Sequence, residues 1–123
     1  RDAQESRGLG DVYKRQAADS VFALVARQAP DSYLGDMWRA RTHSAMDPDT
    51  TEGLAKPYYE KVADMLLAKN EPRYNSALIE CYSYLGYYYL LKSDYPVSKE
   101  YWNKILAIDP ANATAKRALD GIK

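Results

Sequence analysis

The stretch Tyr82-Ser83-Tyr84-Leu85-Gly86-Tyr87-Tyr88-Tyr89, followed by Ser98, Trp102, Ile105 and Pro110, decides the fold. Through it Leu78, Cys81, Tyr82, Leu85, Tyr88 and Tyr89 recur at three- and four-residue intervals, the period of a helix with one buried face. A mid-helix glycine costs about 1 kcal/mol relative to alanine. Gly86 therefore reads as a place where a paired helix comes close. Ser93-Asp94 is positioned to cap the next helix, which ends near Asp109-Pro110. A short last helix is expected from about Asn112 to Gly121, with Gly121 as its breaker.

The same period extends upstream. Ala18, Val21, Phe22 and Val25 share one helical face, and Pro30 stops that helix. Asp31 and Ser32 can cap a second helix reaching Met46 through Leu34, Met37, Trp38, Ala40 and Arg41. Asp47-Pro48-Asp49 is a turn, and Asp49 with Glu52 has capping-box spacing. A third helix to Lys69 buries Leu54, Ala55, Tyr58, Tyr59, Val62 and Leu66, with Pro57 kinking it or loosening its first turns. Asn70-Glu71-Pro72 makes the next break. No β-branched run of period two occurs, so the fold class is all-α.

Arg1 to Gln16 has no such period and carries seven charges with Gly8 and Gly10. It resembles a translated library-adapter sequence found at the ends of metagenomic reading frames, and is read as a non-native or disordered leader. The helical domain then spans 17–123, and the native N-terminus is expected upstream. Removing four bases (Arg1, Arg7, Lys14, Arg15) and three acids (Asp2, Glu5, Asp11) from seventeen of each leaves thirteen and fourteen. That balance argues against nucleic acid as a partner, which calls for a basic stripe. The longest apolar stretch, Tyr84 to Leu91, is far shorter than the ~20 residues of a membrane span. One cysteine excludes an internal disulfide. Twelve tyrosines beside one Phe and two Trp suggest thin layers whose aromatics are half inside and half out.

Tyr82 to Tyr89 resembles the W-x2-L-G-x2-Y motif of tetratricopeptide repeats, with Tyr82 in place of Trp. Ser98, Trp102, Ile105 and Pro110 fall at the offsets of the second half of that repeat. The second-half pattern returns as Ala18, Phe22, Val25 and Pro30, and again as Ala55, Tyr59 and Val62. Ala40 and His43 take the small and aromatic places of a middle hairpin, where Asp36 replaces the Trp. The resemblance implies antiparallel hairpins stacked as a short right-handed solenoid: half a hairpin, two full hairpins and a terminal helix. Gly86 and Ala40 would let paired helices approach, and Tyr59 and Trp102 would fill space between hairpins. The segment DPDTTEGLAKPYYEK also looks like large repeat proteins of Bacteroidetes-type bacteria. Phe22 and Val25 would be left open on a truncated N-terminal face, making self-association an expectation.

Chemistry is sparse. His43 has no second ligand at metal spacing, Cys81 reads as a small buried thiol, and Asp47, Asp49 and Glu52 lack the glycine and spacing of a calcium loop. No phosphate loop or nucleophile elbow is present, so neither an enzyme nor a cofactor is expected. The resemblance instead implies a groove that accepts a peptide or partner helix. Its faces would be Leu34, Met37, Arg41 and Ser44, then Glu80, Ser83, Tyr87 and Leu90. Members that clamp a C-terminal carboxylate use Lys and Asn where Met37, Ser83 and Tyr87 stand here. The chain thus reads as a protein-interaction scaffold, or alternatively as a structural spacer or oligomerisation segment of a larger envelope-associated protein.

Overall fold

The computed structural model describes residues 16–29 and 32–122. Their regular structure is entirely helical, with no strand among the described residues. Helix α1 covers residues 16–28, α2 Leu34–Met46 and α3 Lys56–Lys69. A single 3-10 turn at Pro72–Tyr74 leads into α4 (Asn75–Leu91), followed by α5 (Tyr95–Ile108) and α6 (Ala113–Ile122). The chain divides into two compact units, one ending at Tyr58 and the other starting at Tyr59.

In the first unit α1 and α2 meet backbone to backbone. A Cβ on Gly35 would lie 2.7 Å from the Ala26 nitrogen, so glycine is what permits the contact. The Phe22 ring stacks on Trp38 at 5.7 Å, while Met37, Ala40 and Ala55 are buried. Val21, Leu24 and Val25 remain exposed. The open strip of α1 thus differs from the one expected, because Phe22 turns onto α2.

In the second unit Lys92, Ser93 and Asp94 connect α4 to α5, which pack together, and α5 packs in turn on α6. A Cβ on Gly86 would fall 2.7 Å from Cε2 of Trp102. The Trp102 N–H donates to Ser98 Oγ at 3.0 Å, and Ser98 Oγ donates to the Gly86 carbonyl at 2.7 Å. Ser98 therefore satisfies the buried Trp102 N–H, which an alanine would leave without a partner, and adds a second bond to the Gly86 carbonyl. Trp102 fills space within its own hairpin, where the sequence reading placed it between hairpins.

Several boundaries differ from the sequence reading. The first helix takes in Gln16, whose carbonyl accepts the Ser20 hydroxyl at 3.2 Å. Residues 1–15, most of the leader, lie outside the described residues, as do Pro30 and Asp31. Helix α3 starts only at Lys56, which puts Pro57 in the first turn, where a missing N–H costs nothing. Asp47, not Asp49 with Glu52, organises the approach. Its carboxylate accepts backbone N–H groups of Thr51 (3.0 Å), Glu52 (3.2 Å), Gly53 (2.8 Å) and Leu54 (3.3 Å). Asp94 sits at the start of α5 without a side-chain cap bond, and Ser93 there adopts φ 61°. Asn112 caps α6 by accepting the Ala115 N–H at 2.9 Å, but Gly121 lies inside that helix and does not end it.

Candidate partner-binding faces

Glu80, Ser83, Tyr87 and Leu90 are spaced by three, four and three residues, which aligns them along one stripe of α4. The opposite stripe, Leu78, Tyr82 and Leu85, is buried. Burial of that stripe turns the first one outward. Tyr87 is 44% exposed, and Glu80, Ser83 and Leu90 are half-buried. Glu80 is fixed in place, since the Tyr59 hydroxyl donates to its Oε2 at 3.0 Å while the Tyr59 ring leans on Tyr84 at 4.7 Å.

The expected face on α2 is changed. Arg41 is exposed and Ser44 half-buried, but Met37 is only 2% exposed and belongs to the core. The outward stripe of α2 is instead Leu34, Trp38 and Arg41. The Arg41 guanidinium lies 4.7 Å over the Trp38 ring, so indole and charge form one composite surface. Sequence reasoning missed Trp38 because residues 37 and 38 both fit the apolar period. Arg41 three positions later was the available signal for which of them faces outward.

A polar cluster joins α1, α2 and the start of α3. Arg39 Nε donates to Asp19 Oδ1 at 2.9 Å, and its Nη2 donates to the Tyr58 hydroxyl at 3.0 Å. His43 stacks on Tyr58 at 4.5 Å, with Nε2 3.2 Å from Asp19 Oδ1, too skewed for a directed hydrogen bond. Burial pushes the Asp19 carboxyl up, but the Arg39 hydrogen bond and the His43 and Arg39 charges outweigh it and hold the group below its ordinary range. Asp47 follows the same logic: burial raises it, and the N–H groups of Gly53, Leu54, Thr51 and Glu52 together bring it lower still. No group of three His, Cys, Asp or Glu that could hold a metal occurs among the described residues.

Close helix pairing over Gly86, the buried Trp102 and the hairpin pattern define a tetratricopeptide-like all-α protein. The particular likeness is to the crystal structure of the C-terminal part of a TPR repeat-containing protein from Cytophaga hutchinsonii, at 43% identity and a TM-score of 0.80. The match covers 90% of this chain and 42% of that one, so the chain spans less than half of its length. No protein-family model matches the chain. No curated protein matches it either.

Proposed function

We propose that the chain is a protein-interaction scaffold whose partner, a peptide or helix, docks on the outward stripes of first helices of the hairpins. The single observation that carries this reading is Tyr87, a large aromatic 44% exposed on a helix whose other face is fully committed to the core. Aromatic and arginine side chains concentrate interface energy, and Arg41 on Trp38 offers the corresponding anchor on α2. Likeness to a TPR repeat-containing protein supports an interaction scaffold in general. No helix among the described residues is long and apolar enough to cross a membrane.

The test places a photo-reactive amino acid at Tyr87, identifies the captured protein, and then titrates that purified protein against parent, Tyr87→Ala and Arg41→Ala. Loss of about tenfold or more in affinity for Tyr87→Ala is expected, the size of a hot-spot truncation. Weak salt dependence is expected as well, unlike the steep loss seen with nucleic acid. Equal affinity in all three proteins would favour the spacer or oligomerisation reading. A specific observation speaks for that alternative, the exposed Val21, Leu24 and Val25 strip on α1. Concentration-dependent dimers in sedimentation, abolished by Val21→Lys with Leu24→Lys, would establish it.

A further inference from the structure

The face of α4 opposite Tyr87 holds a small notch that the docking reading does not use. Its floor is Ala63, Tyr82 and Leu85, all buried, and its wall is Tyr101 of α5. Its rim carries Glu60 and Asp64, one turn apart on α3, with Lys104 of α5 also lining it. The space is about 110 Å³, room for roughly four waters at ~30 Å³ each. That is too small for a drug-sized ligand, for which sites of about 300 Å³ or more are usual, and suits one side-chain head group.

The chemistry of the notch is selective. Tyr82 and Tyr101 are tilted toward one another at 5.9 Å, and the Lys104 ammonium lies 5.0 Å from the Tyr101 centroid and 5.6 Å from that of Tyr82. The two rings therefore already hold a cation, one supplied by the chain itself. The lining bears the carboxylates of Glu60 and Asp64 together with that ammonium. The field of Asp64 reaches the floor: burial, then the neighbouring Cys81 and Asp64, push the Tyr82 phenol above its ordinary range. Aromatic faces beside carboxylates favour an alkylammonium or guanidinium and disfavour an anion.

We propose that this notch is a second recognition site, taking a lysine or arginine side chain of a protein partner in competition with Lys104. It lies on the other side of α4 from Glu80, Ser83, Tyr87 and Leu90, so one partner could engage either site without occluding the other. Exchange of one cation for another keeps the charge balance, so the resident lysine acts as a tunable competitor.

The test is a titration of the full chain, carrying ¹³C-labelled tyrosine, with N-acetyl-arginine amide and, as a neutral control, N-acetyl-leucine amide. Saturable shifts of the Tyr82 and Tyr101 ring signals are expected with the arginine probe alone. Lys104→Met should tighten the probe by about threefold, the size of an exposed cation–π contact. Asp64→Asn, at an exposed position that leaves the core intact, should weaken it by at least as much. Absence of saturable shifts in both the parent and Lys104→Met would overturn the proposal. So would an equal response to the leucine amide, or indifference to either substitution. None of these outcomes bears on Tyr87, so failure here is separable from failure of the docking reading.

Discussion

The α4–α5 hairpin and the α1–α2 pair solve one problem by different means. Both bring helices close over a glycine, Gly86 in one and Gly35 in the other. At Gly86 the facing group is an indole that fills the space and hands its N–H to Ser98, in a region with no titrating group at the contact. At Gly35 the facing group is the Ala26 backbone, and beside it the polar set Asp19, Arg39, His43 and Tyr58 holds the helices. Where the repeat motif keeps its aromatic and glycine, packing is apolar. Where Asp36 and His43 stand in the motif's aromatic places, a partly exposed ion pair is added to the packing.

Removing the indole should break that comparison most severely. Trp102→Ala is expected to cost about 3–5 kcal/mol in denaturant unfolding, since it empties the hairpin interior and leaves Ser98 short of a partner. An effect below about 1 kcal/mol would mean α5 does not depend on this contact.

The glycines come next. Gly86→Ala and Gly35→Ala should each cost about 1–3 kcal/mol by overpacking. Gly35→Ala should be the worse of the two, because its Cβ would meet backbone, which cannot turn aside as a ring can. The reverse order in melting temperature would indicate that α1 and α2 slide apart easily.

Of similar size is the effect at the loop before α3. Asp47→Ala leaves four backbone N–H groups without their acceptor and should cost about 1–3 kcal/mol. Hydrogen exchange should speed up at residues 51–54 while α5 stays protected.

The mildest change is Asp19→Asn. The pair it breaks is partly exposed, so about 1 kcal/mol or less is expected at neutral pH. Its signature is instead the pH profile. A carboxyl held low in the folded state gives its full stabilisation above about pH 4 and loses it as pH falls through the lowered value. Asp19→Asn should flatten the acid limb of stability against pH, and 1 M salt should mimic it in part, the screening length there being about 3 Å.

Most of the fold was legible because helical period survives in each segment from Ala17 onward. The pairing of Gly86 with a neighbouring helix could be read as well, since a mid-helix glycine among aromatics has few other uses. The start of α3 could not. Pro57 and the Asp49–Glu52 spacing pointed to an earlier start, while the deciding group, Asp47, acts across a loop and reaches four N–H groups at once. Met37 and Trp38 show the other limit. Both satisfy the apolar period, and only tertiary contacts choose Met37 for the core and leave Trp38 to Phe22 and Arg41.

The chain's two tryptophans stand one in each region, which allows the contrast between packing that includes an ion pair and packing without one to be measured directly. The protein would carry 5-fluorotryptophan, and its two ¹⁹F signals would be followed from pH 7 down through the carboxylate range. Trp38, stacked on Phe22 beside Arg39 and Asp19, is expected to change first, with Trp102 holding its native position to lower pH. Simultaneous change of both signals, or earlier change at Trp102, would contradict the claim that the two regions are held by different forces.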